Sequence, residues 1–202
     1  MIAIVDYGVG NLFSLKSSLG FIGAEATVTS DPEVIKSADR IILPGVGAFG
    51  DAAEKLFESG LGDVVKEEAA KGKKVMGICL GMQLLFERSF EYGEHKGLGL
   101  LPGSVIAMQG VIPEGLMIPH IGWNALIFKR QHPVFKYLTD GDHVYFVHSY
   151  FATDTKDSLV ATAEYGEELC AAAGLGNVFG TQFHPEKSGE VGMKILKGFV
   201  EW

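Results

Sequence analysis

The sequence is poor in cysteine and proline and contains no long apolar run. Its 202 residues include two cysteines, Cys79 and Cys170, and seven prolines. Two thiols so far apart do not form a disulfide framework, so we expect a reducing, cytoplasmic setting in which a cysteine either packs inertly or performs chemistry. No apolar stretch approaches the roughly 18 residues that crossing a bilayer requires. The apolar start, Met1 to Val5, ends at Asp6 without a preceding basic segment, which argues against a signal peptide.

Positive charge is also scarce. There are 17 Lys and Arg residues against 25 Asp and Glu, which gives a formal net charge of −8, and no block of five basic residues occurs. This balance argues against nucleic acid as the main partner. The length and the 47% hydrophobic content predict one compact domain over residues 1–202.

Glycine, by contrast, is abundant. The 27 glycines are roughly 13% of the chain, nearly twice the usual share of about 7%. There is no Gly-X-Y period, so a collagen-like chain is excluded. The excess predicts many tight turns, or places where backbone segments approach each other closely.

The apolar pattern predicts an α/β fold. Up to about residue 96, short apolar strands alternate with amphipathic segments, including one helix over 52–71, which is typical of a mostly parallel central sheet flanked by helices. From about Gly97 the chain is rich in β-type runs with few helix signals. We expect an antiparallel extension there, which includes Val178 to Phe183, and a closing helix around 191–200.

The segment Gly77-Ile78-Cys79-Leu80-Gly81 has the form G-x-C-x-G, the cysteine counterpart of the nucleophile elbow. An apolar strand precedes it and a helical run follows it. Cys79 would then lie at a helix N-terminus, where the dipole favours thiolate, and the Leu80 N–H would point at an oxyanion. Taken alone, the motif suits a buried cysteine in a packing turn equally well.

A cysteine nucleophile needs a base, and the base needs an orienting group. Phe183-His184-Pro185-Glu186 offers both, because side chains two apart on a strand share a face. Pro185 cannot donate to a ladder, which places the pair at a strand end or edge. Without the elbow, a surface histidine beside an unrelated carboxylate would be the better interpretation.

The loop from Pro44 to Gly50 is glycine-rich and follows a strand. It is able to supply a second oxyanion N–H, although an ordinary loop fits the pattern too. It lacks GK[ST], and Gly8-x-Gly10 lacks the third glycine of a dinucleotide fingerprint. The remaining histidines show no metal-ligand spacing, so we predict no metal and no cofactor; they are His95, His120, His132, His143 and His148. Cys170 has the surroundings of an inert packing residue.

The motifs together resemble class I glutamine amidotransferases, with the flavodoxin-like sheet of that family. The resemblance rests on six segments that span the chain: 6–12, 44–50, 77–86, 120–124, 146–150 and 180–188. Within the family it narrows to the glutaminase subunits of histidine biosynthesis, which pass ammonia to a (β/α)₈ cyclase subunit.

The resemblance implies a role for each motif. Cys79 would attack the L-glutamine side chain, His184 would relay the proton and Glu186 would orient His184. The oxyanion hole would consist of the N–H groups of Leu80 and of Val46 or Gly47. The implied substrate-binding residues are Gly47, Gln83, His148, Ser149 and Tyr150. The implied partner-facing residues are Asn11, His120, Trp123 and Lys187.

Three alternatives stay open at this point. The chain could be the glutaminase of another pathway, such as pyridoxal phosphate, anthranilate or guanylate synthesis. It could be a cysteine-elbow peptidase or hydrolase, although those often place His directly after the nucleophile, where this chain has Leu80. It could also be an inactive scaffold, against which the intact Cys79, His184 and Glu186 argue.

Overall fold

The computed structural model describes all residues from Met1 to Trp202. The six α-helices are α1 (Leu12–Phe21), α2 (Pro32–Ser37), α3 (Phe49–Glu58), α4 (Leu61–Ala70), α5 (Leu80–Leu85) and α6 (Gly189–Val200). The fourteen strands are β1 (Ile2–Val5), β2 (Ala26–Thr29), β3 (Arg40–Leu43), β4 (Lys74–Ile78), β5 (Arg88–Ser89), β6 (His95–Lys96), β7 (Ser104–Ala107), β8 (His120–Ala125), β9 (Ile127–Phe128), β10 (His143–His148), β11 (Tyr150–Thr153), β12 (Leu159–Glu164), β13 (Glu168–Leu175) and β14 (Val178–Thr181). No helix is long and apolar enough to cross a membrane.

A central sheet of eight strands organises the chain. Its order is β2-β1-β3-β4-β14-β13-β12-β9. The first five strands are parallel to one another, and the last three pair antiparallel. The predicted α/β architecture, mostly parallel with an antiparallel extension, is confirmed.

Each face of the sheet has its own hydrophobic core because side chains alternate along the strands. In β1, Ala3 and Val5 belong to the core under α2, α3, α4 and α5, whereas Ile2 and Ile4 belong to the core under α1 and α6. All four are buried. Burial on both faces explains why β1 reads as a continuous apolar run rather than an alternating one.

The prediction for residues 178–183 is confirmed for one neighbour of the strand and wrong for the other. We expected an antiparallel strand, but β14 lies beside β4 and runs parallel to it, with Thr181 opposite Ile78. Its antiparallel neighbour is β13, a strand that the sequence pattern did not predict. The run Leu169 to Gly174 is buried throughout. It contains small alanines instead of the β-branched residues that usually indicate a strand, so its sequence carries no strand signal.

The single helix predicted over 52–71 is two helices. The chain breaks between Glu58 and Leu61, where Gly60 adopts a left-handed conformation with φ +72°. A helix cannot continue through such a residue. α3 and α4 are therefore separate helices, and both pack on the same core, through Leu56 and Leu61.

The chain also forms two smaller sheets. β8 pairs antiparallel with β10 over six residues, from His120 opposite His148 to Ala125 opposite His143. β11, β7, β5 and β6 form a second sheet. β10 ends at His148 and β11 begins at Tyr150, so Ser149 connects the two small sheets.

Helix α6 approaches the 3₁₀ turn Pro133–Phe135 so closely that only glycine fits. A β carbon on Gly198 would overlap the carbonyl oxygen of Val134. We expect Gly198→Ala to lower the free energy of unfolding by about 1–3 kcal/mol. Gly20→Ala in α1 is the matched control, because a β carbon there meets nothing within 4 Å, and it should gain up to about 1 kcal/mol. Urea denaturation measures both, and equal effects at the two sites would contradict the packing described.

Candidate active site

The backbone turns sharply at Cys79, between the end of β4 and the start of α5. Cys79 has φ +54° and ψ −113°, a left-handed region that non-glycine residues seldom occupy. Two hydrogen bonds hold the turn: the Cys79 N–H donates to the Thr181 carbonyl at 2.7 Å, and the Gln83 N–H donates to the Cys79 carbonyl at 3.1 Å. Strain of this kind, held by the surrounding backbone, is typical of functional sites.

Glycines on either side of Cys79 let three backbone segments meet. A β carbon on Gly77 would lie 2.6 Å from the Gly81 carbonyl oxygen, and one on Gly81 would overlap the Leu43 carbonyl oxygen. A β carbon on Gly45 would come within 2.8 Å of the Gly81 nitrogen. The glycine excess of the sequence thus includes residues that this turn requires.

His184 and Glu186 lie against this turn because β14 is next to β4. The chain leaves β14 at Thr181, and the 3₁₀ turn Pro185–Lys187 brings the Glu186 Oε1 to 2.8 Å from the His184 Nδ1. Both side chains are 3% exposed. We predicted that the pair would share a strand face; the turn, not a strand, brings them together.

The pKa of His184 depends on its two partners in the site. Burial by itself would lower the pKa of His184, but hydrogen bonds and charge interactions with Cys79 and Glu186 raise it to about 9. Glu186 accepts a hydrogen bond from the His184 Nδ1–H, which leaves Nε2 for the cysteine sulfur. The second carboxylate oxygen, Oε2, has no hydrogen-bond partner, and Glu186 and Asn11 line the same small cavity.

A cavity of about 590 Å³ opens above Cys79 and His184. Its lining includes all the residues that we predicted for the oxyanion hole and for substrate binding: Val46, Gly47, Leu80, Gln83, His148, Ser149 and Tyr150. This volume suits a small amino acid with room to spare.

Tyr7 fixes the loop that follows β3. Its hydroxyl donates to the Pro44 carbonyl at 2.7 Å, within the buried interior. Burial, and then the charge of Cys79, raise the pKa of Tyr7 well above its usual value, so the hydroxyl remains a donor. Beyond this anchor, Gly47 adopts φ +92° and Val46 is 41% exposed. The sequence interpretation missed Tyr7, since it lies just outside the first strand's apolar run.

A buried pair of neutral histidines borders the cavity. The His148 Nδ1 lies 2.9 Å from the Tyr150 carbonyl, which only accepts, so Nδ1 carries the proton and Nε2 accepts from the His120 Nδ1 at 3.2 Å. Burial lowers the pKa of His148 to about 3 and also lowers that of His120. His120 is stacked against Tyr165, with ring centroids 4.1 Å apart.

Glu91 is a second residue that the sequence interpretation missed. Its side chain is buried, and its Oε2 accepts a hydrogen bond of 2.7 Å from the Phe49 N–H at the start of α3. Glu91 is the one carboxylate among the residues that line the cavity. No motif surrounds it in the sequence, so only the fold reveals its position.

The four residues predicted to face a partner differ in their exposure to solvent. Trp123 is 55% exposed. Lys187 is exposed at the cavity edge and Asn11 is half-buried. His120 is 4% exposed, so the structure corrects this prediction: its ring is held inside by His148 and two aromatic rings, and it offers no surface to a partner.

Comparison with known proteins agrees with this geometry. The family model for class-I glutamine amidotransferases matches residues 3–202. The chain belongs to this family. It is an enzyme of the amidotransferase class, with the α/β fold expected for it.

Relatives of similar length share about half of the sequence. The imidazole glycerol phosphate synthase subunit HisH of Caldanaerobacter subterraneus is 50% identical over 202 residues, which cover 100% of this chain and 98% of the relative. The proteins of the same name from Bacillus cereus and Aquifex aeolicus are 51% and 48% identical, over 98% and 97% of this chain and 93% and 94% of theirs.

Solved structures support the fold alone. A glutamine amidotransferase crystal structure superposes with a TM-score of 0.77 at 20% identity and covers 100% of this chain and 98% of its own. The PurLQS structure from Thermotoga maritima gives a TM-score of 0.75 at 24% identity, with 99% and 97% covered.

The two histidines of the cavity should titrate on opposite sides of the usual value of about 6.5. We expect the His184 imidazole to lose its proton with a midpoint about 9 and the His148 imidazole to stay neutral until about pH 3. Cys79→Ala removes a partner of His184 alone, so it should lower the first midpoint and leave the second in place. NMR titration of the ring C–H signals measures both; a His184 midpoint that ignores the substitution would contradict the contact with Cys79.

Proposed function

We propose that this chain is the glutaminase subunit of imidazole glycerol phosphate synthase. It hydrolyses L-glutamine and passes the ammonia to the cyclase subunit in histidine biosynthesis. The observation that carries the proposal is that Cys79, on a strained turn, and His184 line one cavity, with Glu186 hydrogen-bonded to His184. The family match and the names of the full-length relatives support it.

In the proposed reaction, the Cys79 thiolate attacks the side-chain carbonyl carbon of glutamine. The negative charge moves to the carbonyl oxygen, which the N–H groups of Leu80 and of Val46 or Gly47 stabilise. His184 then gives its proton to the nitrogen, the C–N bond breaks, and ammonia leaves a thioester on Cys79. Water, deprotonated by His184, attacks the thioester; glutamate leaves and the thiolate returns. Glu186 holds His184 in the required tautomer throughout.

The α-ammonium and α-carboxylate groups of glutamine require polar partners in the cavity wall. We propose that the Glu91 carboxylate binds the α-ammonium group of glutamine, because Glu91 is the single carboxylate in the cavity lining and is buried. Backbone groups of Gly47, Ser149 and Tyr150 are available for the carboxylate end. The side chains of Gln83 and His148 bond to the Tyr150 carbonyl, so their part in binding is to hold this wall in place.

A delivery role explains why the chain should work with a partner. Free ammonia is mostly protonated at neutral pH and is then no nucleophile, so the cavity must be covered when ammonia leaves it. We propose that such a cover contacts the exposed Trp123 on β8, the exposed Lys187 at the cavity edge and the half-buried Asn11, which lines a small cavity with Glu186. A large exposed Trp suits an interface anchor.

The remaining parts of the proposal concern the chain as a whole. We propose that residues 1–202 act as one amidotransferase domain and need no cofactor or metal. A reducing, cytoplasmic setting fits two buried cysteines that carry free thiols. The (β/α)₈ architecture of the cyclase is part of the same hypothesis and rests on the resemblance.

Replacing the nucleophile should separate two activities of the assembled synthase. We expect Cys79→Ala to lower glutamine-dependent synthesis by about 10³-fold or more, while synthesis from added ammonium salt by the partner persists. Cys170→Ala is the matched control, because burial raises the pKa of that thiol to about 12 and keeps it unreactive. Glutamine use that survives Cys79→Ala would exclude the proposed mechanism.

The role given to Glu91 has its own test. Gln in place of Glu91 keeps an acceptor for the Phe49 N–H but removes the charge, so we expect the KM for glutamine to rise about 10–100-fold, with a smaller change in kcat. Glu94→Gln is the control, since Glu94 is exposed and pairs with Arg88. A KM that moves equally in both variants, or in neither, would show that Glu91 does not bind the ammonium group.

A further inference from the structure

Gln182 is a buried polar residue that the mechanism above does not use. It follows β14 directly, is 0% exposed, and is held by its backbone N–H, which donates to the Ala171 carbonyl at 2.8 Å. Its side-chain Nε2 lies 3.8 Å from the Cys79 Sγ. A fully buried amide beside a nucleophile requires an explanation, because burying an amide without partners is costly.

The orientation of this amide follows from a chain of hydrogen bonds. The Tyr150 carbonyl can only accept, so the Gln83 group at 3.1 Å from it must be Nε2. The same Gln83 Nε2 donates its second proton to the Gln182 Oε1 at 2.9 Å. With its oxygen occupied in this way, Gln182 turns its N–H₂ group toward the sulfur.

The Tyr150 carbonyl accepts a second hydrogen bond. The His148 Nδ1–H also bonds to the Tyr150 carbonyl, at 2.9 Å, and His148 in turn accepts from His120. One series of hydrogen bonds therefore connects the wall of the substrate cavity with the nucleophile. The Tyr150 carbonyl, which can only accept, determines which atom donates and which accepts in each of these bonds.

We propose that Gln182 is a positioning residue, whose amide N–H holds the Cys79 sulfur in place and stabilises its anionic form. The proposal rests on the proposed function and deepens it. The thiolate occurs twice in that reaction, first as the nucleophile and later as the leaving group of thioester hydrolysis. A neutral donor serves both steps, because it keeps its proton while His184 exchanges protons with ammonia and water.

Two substitutions test this role. Gln182→Met removes both hydrogen bonds at similar volume, and Gln182→Glu keeps the acceptor for Gln83 but places a carboxylate beside the sulfur. We expect the pH of half-maximal Cys79 alkylation by iodoacetamide to rise by about one unit in Gln182→Met, a tenfold loss of reactive thiolate, and by more in Gln182→Glu. With the intact synthase, kcat for glutamine should fall more than KM changes.

The control is Ser158→Ala, outside the cavity lining. Ser158 is equally buried and its hydroxyl donates to the Thr155 carbonyl, so this variant loses a buried hydrogen bond without altering a donor to sulfur, and its alkylation profile should stay as in the parent. A profile that is unchanged in both Gln182 variants, while circular dichroism shows them folded, would overturn the proposal.

A measurement on the unsubstituted protein decides the matter if the variants fail to fold. Alkylation of Cys79 should shift the NMR signals of the Gln182 side-chain N–H₂ group, and signals that do not respond would also overturn the proposal. Neither readout depends on glutamine turnover. Failure of the proposed function, tested with Cys79→Ala, is thus distinguishable from failure of this inference.

Discussion

The backbone of Leu43 at the end of β3 lies against Gly81 in the first turn of α5, and this contact determines the geometry of the site. A β carbon on Gly81 would overlap the Leu43 carbonyl oxygen. Because the two segments touch, the chain has to turn within one residue after β4, and Cys79 adopts φ +54°. The same contact presses the loop after Pro44 against Leu80, so the groups proposed for the oxyanion hole are neighbours of the nucleophile from the outset.

The second constraint is the position of β14 in the sheet. A parallel strand beside β4 makes the chain emerge next to Cys79, and the Thr181 carbonyl accepts the Cys79 N–H. Over the next few residues the chain supplies Gln182 toward the sulfur, and then His184 and Glu186. The hydrogen-bonded pair of His184 and Glu186 lies at this strand end, whereas the histidine pair across the cavity is neutral.

The sequence predicted the parts of the site that chemistry defines locally. The elbow needs glycines at fixed spacing, and His184 needs a carboxylate two residues away, so both motifs are visible without a fold. It did not predict the direction of β14, because a buried strand has the same pattern in either direction. It also missed β13, whose alanines lack a strand signal. The partner-facing role of His120 was implied by the resemblance alone, and aromatic rings enclose that residue. Glu91 reaches the site only through tertiary contacts, which no local pattern encodes. Tyr7 and Gln182 lie in the segments 6–12 and 180–188 that carry the resemblance, but their contacts with Pro44 and Cys79 are tertiary.

The central claim is that Cys79 forms a thioester with the substrate. The most direct measurement is peptide mass spectrometry after acid quench of the complete synthase during turnover of glutamine. The account predicts a γ-glutamyl group on the peptide that contains Cys79 and none on the peptide that contains Cys170. Steady turnover of glutamine without an adduct on Cys79, or with the adduct on another residue, would contradict it.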